Sequence, residues 1–422
     1  MIPTNEPPLR VALTVLGCKV NFAEMADLAG ALAACGCEVV PETEQADVRV
    51  LNSCTVTTQA DATTRQRIGR LRRADPGSHL IVTGCSVDAN PGAYTGTADS
   101  TFSNRDKDSI AAHILAMAPQ RAALRAGATP PMRSRAFLKV QDGCDHRCTY
   151  CIVWRARGES TSVPRGVVHD RLHAAIEAGH GEIVLCGVDL GSYGRDLGTD
   201  LATLLESLLD ACDGARIRLS SINANDVTPA LIRLNAHPRL CAHWHMPLQS
   251  GSDHVLRAMH RGYRRAQYLR VARALRDVNP LTEFTSDIMV GFPGETEDDH
   301  RESLSLVDEV GFLAGHVFRW SPRPGTPASD LDCRVDDATA RRRSAEMRRA
   351  TRRTGADKLA LATGRVHEVV WDDVDGGRAH GLTSGYHEVV VEHATAVRPG
   401  GLDLVRAENV EGDCLRGTLL RS

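Results

Sequence analysis

The sequence has few aromatics, 4% of its 422 residues. It also has no apolar run approaching the roughly 20 residues that a membrane-spanning helix needs. With no interfacial aromatic belt either, a membrane protein is not expected. The first ten residues carry neither an apolar core nor a cleavage pattern, so a cytoplasmic chain is expected. An excess of one charge is missing too. Fifty basic and 53 acidic side chains leave a net charge of −3, which gives no global sign of a nucleic-acid partner. Internal repeats and low-complexity tracts are absent. Cysteine, by contrast, is plentiful. Thirteen of them, an odd number in a chain long enough to bury sizeable cores, speak against a disulfide framework and for a reducing compartment. Metal ligation is the leading explanation for those that cluster.

The length favours two or three domains. Residues 10–16, 47–51 and 79–83 read as strands, and 22–34 and 58–73 as helices, the alternation of a parallel α/β domain spanning 1–128. Cys18, Cys54 and Cys85 each fall just beyond one of these strands. Strand carboxyl ends share one edge of a parallel sheet, so three thiols distant in sequence can converge there. A Gly/Pro linker at 126–133 marks a boundary. A second array, 134–362, places strands at 136–140, 182–186, 216–220, 244–248, 283–290 and 316–320, which describes a partial (β/α)6 barrel closed by a helix at 338–362. Within that helix, residues 341–353 hold seven arginines, either a solvated face or a phosphate-facing patch. From 363 to 422, short runs at 366–370, 388–392, 402–405 and 415–420, separated by Gly and Asp, predict a small β-barrel in the style of oligonucleotide-binding folds.

Cys144, Cys148 and Cys151 form C-x3-C-x2-C directly after the first strand of the second array. Three thiolates so spaced can hold three corners of a cubane cluster and leave one iron open. A zinc knuckle would need a fourth ligand, and none follows at zinc-finger spacing. With Tyr150 before the last Cys, the motif resembles that of the radical S-adenosylmethionine (SAM) superfamily. That resemblance implies a SAM molecule chelating the open iron, one-electron cleavage to a 5′-deoxyadenosyl radical, and Tyr150 near the adenine. Gly187 and Asp189 lie where the superfamily approaches the cofactor's amino-acid moiety. Ser220 and Gly291 are further cofactor candidates.

The three N-terminal cysteines, the triad, E-I-V-L-C-G-V-D-L-G-S-Y-G from Glu182, P-L-Q-S-G-S-D from Pro247, V-G-F-P-G-E-T from Val290 and S-P-R-P-G-T-P-A from Ser321 together resemble the methylthiotransferase family. The likeness implies an N-terminal auxiliary-cluster domain, a radical SAM domain and a C-terminal TRAM-like β-domain. It also implies two [4Fe-4S] clusters, one on Cys18, Cys54 and Cys85 and the other on Cys144, Cys148 and Cys151. Chemistry is carried by the clusters and SAM, with no acid–base residue required. The expected partners are tRNA, a flavodoxin- or ferredoxin-like electron donor, and a sulfur donor that the sequence does not name.

Among the family's branches the sequence most resembles the one acting on threonylcarbamoyladenosine in tRNA, ahead of those acting on isopentenyladenosine or a ribosomal-protein aspartate. It departs from the family pattern at Trp154 and Arg155, where Pro and an aromatic are usual, and at Asn223 and Ala224, where Glu-Pro is usual. Trp154 and Arg155 are therefore substrate candidates: an indole can stack on a base and a guanidinium can pair with a carboxylate. The alternative from another class is an RNA-binding protein whose clusters are only structural.

Overall fold

The computed structural model describes residues 7–119, 134–394 and 397–420. The linker expected at 126–133 lies outside them. The chain divides into two compact units: Met1–Met132 with Gly143–Asp145 and Cys151–Glu159, and Arg133–Asp142 with His146–Tyr150 and Ser160–Ser422.

In the first unit, five parallel strands lie in the order Glu38–Val40, Arg10–Val15, Val48–Ser53, His79–Gly84 and Ser100–Phe102. Val48–Ser53 is buried at every position, as a central strand covered on both faces must be. Its side chains alternate between two cores. Val48 and Val50 pack with Met25, Leu28 and Leu32 of the helix Lys19–Ala34. Leu51 packs with Ile68 and Leu71 of the helix Thr58–Ala74. The expected elements are found, with differences, and the short helices Cys85–Ala89 and Ile110–Met117 are added to them. The helix expected from residue 22 begins at Lys19, because Cys18 supplies an extended N-cap. The strands Glu38–Val40 and Ser100–Phe102 were not foreseen, being only three residues long and therefore without a readable period.

The second unit holds two three-stranded parallel sheets, Ala136–Lys139, Glu182–Cys186, Arg216–Leu219 and His243–His245, Glu283–Val290, Ala314–Arg319. Isolated parallel bridges Ile217 to Leu240 and Ser221 to His245 lie between them, so the six strands follow one another in chain order. The strand expected at 244–248 pairs only over His243–His245; beyond it Leu248 N–H donates to the Ser286 hydroxyl rather than to a ladder carbonyl.

The helix Leu201–Ala211 shows how these layers are held. Asp200 caps it by accepting from Thr203 N–H at 2.8 Å, a contact worth ~1 kcal/mol. Leu201, Leu204, Leu205, Leu208 and Leu209, at helical spacing, then bury into the core with Ile183, Leu185 and Ile217. A Leu205→Ala change would remove ~2–5 kcal/mol.

The arginine run falls on the helix Asp337–Ala362, one face of which is not solvated at all. Arg343 is buried and donates to Glu295 at 2.8 Å, Arg342 bonds Glu297 and Glu346, and Arg353 bonds Asp308. Arg349 and Arg352 remain exposed.

A closed barrel of Val366–Asp375, Arg378–Thr383, Glu388–Val391, Cys414–Leu419 and Leu402–Glu411 ends the chain, its interior filled by Val369, Trp371, Val389, Val405 and Leu415. Arg378–Thr383 was not foreseen; R-A-H-G-L-T has no apolar alternation. Within the same unit, Glu182 is fully buried between Arg218, 2.7 Å from it, and Arg216, 2.8 Å from it. The two guanidiniums also donate to the Glu368, Leu382, Thr383 and Ser384 carbonyls of the barrel. Among the described residues no helix is long and apolar enough to cross a membrane.

Candidate functional site

Three adjacent strands of the first unit are each followed closely by a cysteine. Cys54 directly follows Val48–Ser53, Cys85 directly follows His79–Gly84, and Cys18 lies three residues past Val15. Two glycines let these turns close. Gly17, at φ +102°, leaves a space where a Cβ would stand 2.8 Å from Cys54 Cβ; Gly84, at φ +99°, abuts the Ser53 backbone. Both angles lie in the region that favours glycine. Asn21 ties the turns together, donating to Leu16 O at 2.7 Å and Ser53 O at 3.0 Å, while the Ser53 hydroxyl donates to Thr83 O at 2.6 Å.

The three thiols share one electrostatic field. Burial pushes Cys54 up to about 11, and negative charge on Cys85 or Cys18 would push it further. Cys18 is raised as well, by desolvation that Arg157 opposes, even though its own surface is open. Such a set resists ionising unless a cation arrives, and ligation to iron supplies one. Three convergent free thiols with no disulfide geometry fit a cubane cluster with an open iron.

A residue not singled out in the sequence completes this site. Arg157, buried at the end of the helix Val153–Arg157, donates through Nε to Cys85 Sγ at 3.3 Å, through Nη1 to Glu24 at 2.8 Å and through Nη2 to Asn21 at 2.6 Å. Glu24 is also ion-paired with the buried Lys107. Trp154 and Arg155 stand on the same five-residue helix. Trp154 is half-buried, Arg155 is exposed, and the guanidinium lies 4.8 Å from the indole centroid in a cation–π contact.

In the second unit, Asp189 is buried beyond the end of Glu182–Cys186 and its N–H donates to Gln141 Oε1 at 2.8 Å. Gly187 makes this packing possible: a Cβ there would stand 2.8 Å from the same Gln141 oxygen. Asn223 donates to Asp189 at 3.1 Å, and His146 Nε2 lies 3.2 Å from Asp189 and 3.6 Å from Asp226. Of the two, Asp189 acts on the imidazole most strongly and Asp226 second, both against the opposing effect of burial. The two carboxylates raise the imidazole to about 10 and hold it protonated. Arg261 joins the group to Cys148, donating to its Sγ at 3.3 Å and to Asn223 at 2.5 Å.

The Ser220 hydroxyl is buried without a hydrogen-bond partner among the described residues. Tyr150 packs against the cluster of Val255, Met259, Phe292 and Ala328. Gly291, at φ +73°, has its N–H taken by Glu295 at 2.7 Å, so the turn is held from within the chain. The sequence reading named Gly187, Asp189 and Ser220 as candidates but not His146, Asp226 or Arg261, which the structure gathers beside Asp189 or Cys148. His146 stood in view inside the cysteine loop; Asp226 and Arg261 carry no local signal.

Two family models match this chain, the Radical SAM superfamily over residues 138–307 and Uncharacterized protein family UPF0004 over residues 10–100. Threonylcarbamoyladenosine tRNA methylthiotransferase MtaB of Thermotoga maritima is 34% identical over 91% of this chain and 90% of its own length. The tRNA-2-methylthio-N(6)-dimethylallyladenosine synthase of Thermobifida fusca is 32% identical over 93% of this chain and 85% of its own. A solved radical S-adenosylmethionine methyltransferase, TsrM of Kitasatospora setae, has a TM-score of 0.57 over 87% of this chain and 79% of that one at 13% identity, a likeness of fold. The chain therefore belongs to the radical SAM tRNA methylthiotransferases, enzymes whose cofactors are S-adenosylmethionine and iron–sulfur clusters.

Proposed function

We propose that the chain adds a methylthio group to C2 of N6-threonylcarbamoyladenosine beside the anticodon of tRNA. The observation that carries this choice is the likeness, over nine-tenths of both chains, to the Thermotoga maritima enzyme named for that nucleoside. Cys18, Cys54 and Cys85 hold the auxiliary [4Fe-4S] cluster, and Cys144, Cys148 and Cys151 hold the cluster that receives SAM. When bound, SAM supplies the carbon radical and the methyl group. Around it, Asp189 and the unpartnered Ser220 hydroxyl offer polar partners for its amino-acid end, Gly187 permits close backbone approach, and Tyr150 and the Gly291 turn flank the adenine side. The closed C-terminal barrel is TRAM-like and contacts tRNA, in the cytoplasm, with a flavodoxin- or ferredoxin-like protein as electron donor. Mass spectrometry of tRNA nucleosides from a deletion strain tests the substrate: loss of 2-methylthio-threonylcarbamoyladenosine is expected. Loss of the methylthio-dimethylallyl nucleoside instead would transfer the assignment to the branch of the Thermobifida fusca relative.

Arg155 is the substrate-side candidate, since threonylcarbamoyladenosine bears a carboxylate and the dimethylallyl nucleoside none. Arg155→Ala is expected to lower methylthiolation of the former about tenfold, the loss of one charge-assisted hydrogen bond, while 5′-deoxyadenosine release and iron content stay unchanged. Methylthiolation at the parent rate would remove Arg155 from substrate choice.

The arginine helix makes a narrower prediction than its composition suggested. With Arg341 paired to Asp337, Arg348 donating to the Val317 carbonyl, and Arg342, Arg343 and Arg353 paired as described, Arg349 and Arg352 are the arginines of the run that stand ready for phosphates. Replacing both with Ala should flatten the log–log salt dependence of tRNA binding by about 1–2. An unchanged slope would make this face merely solvated.

A further inference from the structure

The guanidinium on Cys85 carries an inference beyond the ligand assignment, on which it rests. A buried Arg needs a reason, because its charge must be paired or hydrogen-bonded throughout. Here Glu24 and Asn21 take Nη1 and Nη2 and hold the fork in place, which leaves Nε directed at sulfur, 3.3 Å from Cys85 Sγ. Lys107 lies on the other side of Glu24, and Asn104 holds Asp88 nearby, donating to it at 2.7 Å. The two cations and two carboxylates balance, so the local asymmetry at the cysteine is set by the groups that touch the sulfur, Arg157 Nε at 3.3 Å and Asn104 Nδ2 at 3.8 Å, and both are donors. Glu24 is thus a clamp for Arg157 as much as an ion-pair partner.

Hydrogen bonds to ligand sulfur and nearby positive charge favour the reduced state of an iron–sulfur cluster and raise its potential. We propose that Arg157 is a positioning residue of the auxiliary cluster: it fixes the Cys85 ligand by an Nε–H to sulfur bond and, through that bond, raises the cluster's reduction potential. Arg157 lies six residues past Cys151, so the segment that completes the radical-cluster motif also delivers the donor to the auxiliary site.

The test uses the full chain with Cys144, Cys148 and Cys151 replaced by Ala, so that only the auxiliary cluster is read. Anaerobic reconstitution, iron and sulfide analysis, and a dithionite titration followed by electron paramagnetic resonance give its content and midpoint potential. If this parent takes up no cluster, the assignment of Cys18, Cys54 and Cys85 fails, and the inference with it. If it loads, Arg157→Met is expected to shift the midpoint to more negative potential, and an unchanged midpoint at full iron content overturns the role of Arg157 alone. Should Arg157→Met not fold or load, Arg157→Lys, which keeps the charge but not the fork, decides. A midpoint below the parent's supports the sulfur bond, and one equal to it overturns it.

Discussion

Replacement of Cys144, Cys148 and Cys151 together by Ala is expected to reduce iron uptake from about eight to about four atoms per chain and to abolish 5′-deoxyadenosine formation. The complementary triple change at Cys18, Cys54 and Cys85 should also leave about four irons, yet keep uncoupled cofactor cleavage and lose methylthiolation. The two halves of this result depend on different structural facts. The N-terminal thiols converge because three neighbouring parallel strands end at one edge and Gly17 and Gly84 let the turns pack. The central thiols need only the spacing of their loop. Iron analysis with product detection by mass spectrometry reads both. Eight irons retained in either triple variant would overturn the assignment of that set.

The largest expected loss of stability comes from Glu182. Burial pushes this carboxyl up, but the Arg218 and Arg216 charges outweigh burial and hold it well below the usual carboxylate range. Removing it by Glu182→Ala strands two buried guanidiniums, at a cost of ~3–5 kcal/mol. Urea unfolding at neutral pH measures this, and a loss under ~1 kcal/mol would mean that the barrel carbonyls alone satisfy the arginines. The sign of the pH dependence follows from the depressed value. The stabilisation is complete above the unfolded carboxylate pKa of about 4.3 and is lost as pH falls below it toward the folded value. The parent should therefore lose stability faster than Glu182→Gln as pH drops below about 4.3. Parallel losses in the two proteins would show that Glu182 does not carry that limb.

How much of this was legible beforehand depended on whether a feature was local. The strands Glu182–Cys186 and Glu283–Val290 are apolar runs bounded by turn residues, and their limits were readable to the residue. Cys18, Cys54 and Cys85 were legible because each sits beside a readable strand, and a parallel sheet brings strand ends together. The three-residue edge strands and Arg378–Thr383 were not, since pairing with neighbours rather than their own pattern makes them strands. Arg157 and Arg261 were missed for a related reason. A buried Arg and an exposed one look alike in sequence, and partners 133 positions away for Arg157 and 113 for Arg261 leave no spacing to read. The arginine helix shows the converse error: seven like charges suggested one face, while the helical turn sends Arg343 inward.

The first unit is not a continuous stretch of chain, since Gly143–Asp145 and Cys151–Glu159 fold with Met1–Met132. During synthesis, at about 5–20 residues per second, its sheet can emerge and pair well before the arginine that Glu24 awaits has left the ribosome. Until then the nascent fragment has Lys107 as a partner for that carboxylate, and Cys85 has the Asn104 amide at 3.8 Å but no guanidinium. A gene fragment cut at residue 132 would encode that unfinished intermediate permanently, so expression of the first unit on its own calls for a boundary placed after Glu159.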